Sequence, residues 1–269
     1  MALIECNLRS KALLFPTTIK VLLPESFPDI QQDDLSAPKF EITEKYRTLY
    51  LLHGATDGAD SWLLNSRIRH YANQHNLAVV LPNVQNSFYA DRVHGPAFWT
   101  YVSEELPRFI RSLLPLSDRR EDNYVAGLSM GGYGALKFAL KKPEMFSAVI
   151  SLSGVVDIVS AFKNPIHPDF NADAYFGEMD RLQGSDNDLF ALIDKLLMAK
   201  TQIPEIYFAC GFDDFLLEAN RRFRDHLEKR KISFCYEEGP GEHDWDFWDK
   251  YIQRGLDFID SNLQARRYA

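Results

Sequence analysis

A serine with glycine two residues before it and two after it, as in Gly127-Leu128-Ser129-Met130-Gly131, has the spacing of a nucleophile elbow. The surrounding stretch, Asn123–Lys142, reads as a short apolar strand, an abrupt turn and a helix. A serine forced onto such a turn projects its hydroxyl into a cleft, and the glycines keep side chains out of a place where backbones crowd. The turn also puts the Met130 N–H at a helix N-terminus, aimed where a negative oxygen would develop. Five-residue patterns with three fixed positions also arise by chance, so the serine has to be judged by its partners.

A serine hydroxyl is a poor nucleophile until a base takes its proton, and that base is usually a histidine held by a carboxylate. Of the seven histidines, only His226 and His243 lie well downstream of both Ser129 and a later strand. His226 sits in an Arg/Glu-rich helix and reads as a solvated surface residue. His243 lies in GPGEHDW, a loop between the last strand and the final helix, where a base belongs; the plainer alternative is a surface or helix-capping histidine. His167, in a Pro-flanked part of an insertion, is an outsider. For the acid, the strand IYFAC ends at Gly211-Phe212-Asp213-Asp214-Phe215. Both aspartates fall at the carboxyl end of a strand, where catalytic groups gather in open sheets. Either also suits the N-cap of the helix beginning near Leu216. The expected arrangement is one of each.

A developing oxyanion needs a second N–H besides that of Met130. The early strand ending in His53-Gly54-Ala55 supplies a loop, with glycine letting the chain bend and Ala55 N–H as the candidate donor. His53 is expected to orient this loop and not to take part in catalysis.

The elements that must hold these residues can be read from apolar runs. Ala2–Leu8 and Thr17–Leu23 suggest an antiparallel hairpin at a sheet edge, and Pro24–Glu44 a surface loop. Thr48–Leu52 and Leu77–Leu81 are continuous apolar runs, as for strands covered on both faces. A helix is expected from about Ser61 to His75. After an irregular aromatic loop (Phe88, Tyr89, Phe98, Trp99) comes a helix through EELPRFIRSLL. Ala148–Ser153, Ile206–Cys210 and Ser233–Tyr236 continue the strands, with a helix Leu216–Lys229 and a last helix Asp246–Leu263. Strands alternating with helices imply an α/β class and a mostly parallel sheet with helices on both faces. No repeat or linker appears, so 1–269 reads as one domain. Val155–Pro204 interrupts the rhythm with about fifty residues where one crossover helix needs far fewer. It contains Pro165, Pro168, Phe170, Tyr175, Phe176 and a helix around Leu189–Met198. It reads either as a cap over a pocket or as a surface excursion.

The 269 residues are ample for a sizeable core, and 46% hydrophobic with 25% charged residues is an ordinary globular balance. A net charge of −8 argues against nucleic acid or an anionic membrane as the main partner and leaves a small-molecule substrate open. Three cysteines, Cys6, Cys210 and Cys235, lack metal-type spacing and read as buried free thiols. Glu5 and Arg9 interrupt the first apolar run, so it does not read as a signal peptide. No stretch approaches the roughly 20 apolar residues of a membrane span, and the cytoplasm is the expected location. Composition leaves the oligomeric state open; exposed aromatics of the insertion offer a surface for a homo-oligomer.

Five segments, LYLLHGATDGADSW, VVLPNVQNSFYAD, AGLSMGGYGALKFAL, ACGFDDFLLEANRRF and GEHDWDFWD, run in order from Leu49 to Asp249. Together they resemble the esterase D-like family of α/β-hydrolases, most nearly its bacterial tributyrin-esterase branch. The resemblance implies the α/β-hydrolase fold with a cap-like insertion at 155–204. It also implies hydrolysis of short-chain carboxylic esters with neither a metal nor an organic cofactor. It maps serine, histidine and oxyanion loop onto Ser129, His243 and His53–Ala55. It favours Asp214, just before the Phe-Leu pair, as the acid. The branch pattern has a threonine-glutamate pair before the acid where this chain has Phe212-Asp213. The wider family includes S-formylglutathione hydrolases and feruloyl and acetyl-xylan esterases, which stand as alternative activities. In the carbohydrate case Phe88, Tyr89, Trp99 and Trp245 would stack on sugar or feruloyl rings. A non-catalytic binding protein on the same fold would be expected to lack a triad member, and none is missing.

Overall fold

Apolar runs become strands here because both faces of the sheet are covered. The computed structural model describes residues 1–24, 44–163 and 172–267. Its strands are β1 (Ala2–Arg9), β2 (Pro16–Leu23), β3 (Arg47–Leu52), β4 (Leu77–Pro82), β5 (Asn123–Leu128), β6 (Ala148–Leu152), β7 (Glu205–Gly211) and β8 (Phe234–Gly239). They form one 8-stranded sheet in the order β1-β2-β4-β3-β5-β6-β7-β8. β2 runs antiparallel to both of its neighbours, and every pairing from β4 to β8 is parallel. The expected hairpin is present, registered from Ala2↔Leu23 to Arg9↔Pro16, with β1 at the sheet edge.

The helices are α1 (Ser61–Asn65), α2 (Ile68–Gln74), α3 (Phe98–Thr100), α4 (Leu106–Leu113), α5 (Met130–Lys141), α6 (Ile158–Lys163), α7 (Ala172–Phe176), α8 (Leu189–Met198), α9 (Leu217–Lys229) and α10 (Trp245–Arg267). Alternate residues of each strand serve opposite layers, as the two-residue period of a strand requires. Tyr50, Val80, Val125, Val149 and Phe208 pack with α4, α5, α8 and α9. Leu49, Val79, Ala126, Ile150 and Ala209 pack with α2 and the inner face of α10, including Tyr251, Ile252 and Leu256. Among the described residues no helix is long and apolar enough to cross a membrane.

Two helices differ from expectation. The Ser61–His75 helix is broken at Ser66, whose hydroxyl takes the Trp62 carbonyl at 2.5 Å while its backbone turns extended. The Arg67 N–H is thereby freed to bond Asp249 on α10, at 2.7 Å. The helix through EELPRFIRSLL begins earlier, at Phe98, and passes through a π-turn over Tyr101–Glu105 before α4. Pro107 explains the wide turn, since it has no N–H for the carbonyl four residues back. Most of the expected Pro24–Glu44 loop (25–43), together with Pro165, His167, Pro168 and Phe170, lies outside the described residues.

The strand order positions the site. From β3 the chain crosses to β4 on one side and then returns to β5 on the other, so the carboxyl ends of β3 and β5 flank a crevice. The residues following β3, β5, β7 and β8 all emerge along that one edge. The far layer depends on α10. Truncating its fully buried Ile252 by Ile252→Ala is expected to cost about 2–5 kcal/mol. It should lower the urea midpoint with an unchanged slope.

Candidate active site

The turn between β5 and α5 places Ser129 at φ 53°, ψ −119°, a backbone state that non-glycine residues seldom hold. Three backbone bonds over-determine it. Ser129 N–H donates to Leu152 O at 2.9 Å, and Ser129 O accepts from Tyr133 N–H at 3.1 Å and Val155 N–H at 3.2 Å. Crowding then dictates glycine on each side. A Cβ on Gly127 would lie 2.3 Å from Gly131 O, and one on Gly131 would lie 2.5 Å from Leu52 O. Gly54 also lies close against the elbow. A Cβ there would meet Leu128 Cδ1 at 2.6 Å, so a larger residue would have to displace that methyl group.

His243 reaches this serine from the opposite side of the crevice. Its Nε2 lies 2.9 Å from Ser129 Oγ, and its Nδ1 lies 2.9 Å from Asp214 Oδ2. A carboxylate only accepts, so Nδ1 carries the proton and the Nε2 lone pair faces the serine hydroxyl. The loops bearing acid and base are laced together, with Phe212 N–H donating to Gly239 O at 2.8 Å and Asp213 N–H to Gly241 O at 3.1 Å. The His243 ring rests between Phe215 (4.5 Å) and Trp248 (5.0 Å).

The division of labour between the two aspartates is not one of each. Asp214 faces His243 and also accepts the Leu216 N–H at 2.8 Å in a local turn before α9, whose N-cap is Leu216, so neither aspartate is the helix cap. Asp213 points to solvent. Burial raises the Asp214 pKa, but the hydrogen bond and charge of His243 and the Leu216 N–H outweigh it and hold the carboxyl below its ordinary value. Behind it lies the fully buried Cys210 thiol, pushed far up by burial and by the Asp214 charge. All three cysteines are free, but only Cys210 is buried; Cys6 and Cys235 are partly exposed.

Ala55 and Met130 line the same cavity as Ser129. Neither N–H has a protein acceptor among the described residues, so both remain free to donate to an oxyanion. His53 is fully buried and sits behind this loop. Its Nδ1–H donates to Gly54 O at 2.7 Å and its Nε2 accepts the Val84 N–H at 3.0 Å. Both ring nitrogens are thus spent on backbone, and burial lowers its pKa, so it is a neutral strut for the loop. His226 is also not a solvated surface residue. It packs against Phe190 of α8 and bonds the Phe190 carbonyl at 3.2 Å.

The cavity has a volume of about 240 Å³. Beyond Ser129, His243 and the two candidate donors, its wall is mostly apolar: Phe88, Val155, Ala161, Phe162, Phe215 and Leu216. Val155–Phe162 begins the insertion, so that part does wall a pocket. Its helix α8 instead braces the scaffold, where Tyr133 Oη donates to Asn187 O at 2.9 Å just before α8. Of the four aromatic residues proposed to stack on a ring, only Phe88 reaches the cavity. Tyr89 is fully buried, Trp99 lies against Phe138, and Trp245 packs between Trp62 and Trp248. Sequence reasoning missed Phe162 and Phe215. The place of Phe215 beside the acid was a usable signal, whereas nothing local marks Phe162.

Two substitutions test this geometry. Gly131→Ala drives a Cβ into the carbonyl oxygens of Leu52 and His53, 2.5 and 2.6 Å away, and should abolish labelling of Ser129 by a fluorophosphonate. Asp214→Asn should leave the fold intact and lower turnover by about 10²–10⁴, through loss of the imidazole tautomer. The native Asp214 pKa lies below its unfolded value. Its stabilising contribution is therefore complete above the unfolded value of roughly 3.9 and is lost as pH falls through the native one. In urea titrations the stability gap between wild type and Asp214→Asn should close only below about pH 4.

Comparison with known proteins agrees with the geometry. The model of the Esterase family, described as "Putative esterase", matches residues 10–259. An acetyl esterase of Caldicellulosiruptor saccharolyticus is 39% identical over 267 residues, covering 96% of this chain and 98% of that one. Two Staphylococcus aureus structures, each 33% identical, cover 96% of this chain and 98% of their own. They are the fluorophosphonate-binding serine hydrolase F with substrate bound (TM-score 0.87) and an S-formylglutathione hydrolase apoenzyme (TM-score 0.83). The sheet order, the elbow after β5 and these likenesses define an α/β-hydrolase fold, and the chain belongs to the Esterase family.

Proposed function

We propose that the chain is a serine carboxylesterase that hydrolyses short-chain acyl esters through an acyl-enzyme intermediate. The observation that carries this is the continuous line Asp214–His243–Ser129, with both links at 2.9 Å, opening into a small apolar cavity. His243 Nε2 takes the Ser129 proton as Oγ attacks the ester carbonyl. The tetrahedral oxygen gathers the Met130 and Ala55 N–H groups, each such donor being worth roughly 10²–10³ in turnover. Asp214 stabilises the imidazolium. His243 then gives its proton to the leaving alcohol, and the same residue activates the water that frees the acid.

Size supports the short acyl chain. About 240 Å³ falls below the roughly 300–1,000 Å³ of sites for drug-sized ligands. Phe88 and Phe162, whose rings meet at 5.0 Å, both line the cavity. The motif segments resemble the tributyrin-esterase branch of the esterase D-like enzymes, and we read the chain as nearest to it. We read 1–269 as one domain, with 155–204 as an insertion whose first part walls the pocket. No nucleic acid or membrane enters this reading, and a homo-oligomer is compatible with it.

A second reading keeps the same triad and changes the leaving group. The S-formylglutathione hydrolase of Staphylococcus aureus is 33% identical across 96% of this chain, which makes a thioester the competing substrate.

The deciding measurement is kcat/KM across p-nitrophenyl acetate, butyrate, octanoate and S-formylglutathione. The esterase reading expects acetate or butyrate to lead, and expects Ser129→Ala to lose about 10³–10⁶ in turnover. A clear lead for S-formylglutathione would transfer the assignment to the thioesterase, and activity surviving in Ser129→Ala would remove the nucleophile.

A further inference from the structure

Lys137 lies on α5, two turns beyond the elbow, and its side chain is almost completely buried, at 1% exposure. A buried ammonium with no carboxylate partner is costly, and a lysine shifts toward its neutral form to escape that cost. Burial indeed pulls Lys137 well below its ordinary pKa. No carboxylate among the described residues forms an ion pair with it. Of the two carboxylates whose charge reaches it, Asp91 accepts from the Thr100 N–H at 2.9 Å and the Thr100 hydroxyl at 2.7 Å, and Asp186 is engaged by Lys141 and Lys195. Among the described residues the one side-chain hydrogen bond of Lys137 runs from Nζ to the Tyr89 carbonyl at 2.8 Å, and its Nζ lies 5.3 Å from the Trp99 ring and 5.7 Å from the Tyr133 ring.

The carbonyl it holds belongs to an unusual turn. Phe88 and Tyr89 are consecutive non-glycine residues at φ 48° and 50°, a conformation the chain must be made to keep. The rest of this turn is fastened to α5 as well. Phe88 N–H approaches Met130 Sδ at 3.3 Å, and the Tyr89 ring lies so close over Gly134 that a Cβ there would be 2.3 Å away. From the turn, contacts reach the oxyanion loop on both sides of Ala55. Tyr89 Oη donates to His53 O at 2.9 Å, and the Thr56 N–H donates to Asn86 Oδ1 at 2.6 Å. Phe88 itself lines the cavity beside Ser129.

We propose that Lys137 is a positioning residue for the reaction, holding the Phe88–Tyr89 turn so that Ala55 N–H and the Phe88 ring keep their places about Ser129. This role rests on the esterase reading of the site. Lys137 touches neither substrate nor reacting atoms. It acts through the Tyr89 carbonyl, and one lysine thereby sets both the donor geometry of the oxyanion loop and the inner wall of the acyl pocket.

The test is Lys137→Met, assayed on p-nitrophenyl acetate and octanoate with rates expressed per active site titrated by a fluorophosphonate, so that unfolded protein is not counted. The expected result is an acetate kcat lower by about 10–100-fold, in line with a weakened oxyanion donor. The acetate-to-octanoate ratio of kcat/KM should fall with it as Phe88 is released. Tyr89→Phe separates the two arms. It cuts the link to His53 but leaves the carbonyl that Lys137 holds, so kcat should fall while the ratio stays. A Lys137→Met enzyme whose ratio matches wild type overturns the proposal, whatever its stability, because loss of packing alone does not choose between chain lengths. Should that variant yield no titratable enzyme, Trp99→Leu removes a ring beside Nζ while keeping the lysine. Its ratio must then fall, or the proposal fails. A wild-type enzyme inactive on both esters would fail the reading of the site itself, and this role with it.

Discussion

Everything at this site depends on how closely backbones approach at the β5–α5 turn. Gly127 and Gly131 leave no room for a methyl group between two stretches of main chain, and Gly131 sits against the carbonyls that end β3. That contact joins three things that must be in register: the strained serine, the start of α5 that presents Met130 N–H, and the loop that presents Ala55 N–H. The strain of Ser129, of order 1–3 kcal/mol for such a backbone state, is tolerable because the neighbouring strand and Val155 hold both its N–H and its carbonyl. A looser turn would cost less and would leave the hydroxyl free to wander from His243.

Charge is arranged with the same economy. Asp214 is buried, and its negative charge is offset by His243 on one side and the Leu216 N–H on the other. The same bonds that make the carboxylate bearable in a low-dielectric place also fix the imidazole tautomer. Holding acid and base on two loops laced by backbone hydrogen bonds makes their separation a property of the β7–β8 pair, not of side-chain rotamers. His53 illustrates the opposite arrangement. Both of its nitrogens face backbone, so a histidine within the site region has no proton to exchange.

The sequence was most legible where the rule is local. The elbow, the strand-end aspartates and the loop histidine each announce themselves by short-range composition, and the alternation of apolar runs with amphipathic segments conveyed the parallel sheet. Legibility failed where one atom serves two masters or where the decisive neighbour is distant. Asp213 and Asp214 are chemically equivalent as a dipeptide, so composition left both open; the family resemblance favoured Asp214, and it is Asp214 that faces His243 while Asp213 is exposed. The break at Ser66 needs Asp249, nearly two hundred residues on, to receive the Arg67 N–H. His226 looked solvated because its own helix is rich in charge, while the surface that buries it, Phe190, belongs to the insertion.

The same distinction explains why chemistry and substrate choice are written so differently in this chain. Bond-making residues sit at strand ends, whose positions follow from the sheet, so order along the chain almost suffices to assign them. The acyl wall is assembled from a strained turn after β4 and the first helix of the insertion. Phe88 meets Phe162 at 5.0 Å and Tyr175 at 5.4 Å, and Phe162 meets Phe176 at 5.4 Å. Edge-to-face contacts of this kind are individually modest, roughly 0.5–1.5 kcal/mol beyond burial, so the cluster holds by numbers and not by any single pair. A wall built that way can be reshaped by one ring substitution without disturbing the elbow or the proton line. In the proposed esterase, catalytic power and acyl selectivity are therefore separable except along the Phe88–Tyr89 turn, where the pocket wall and the candidate oxyanion loop share the same few residues.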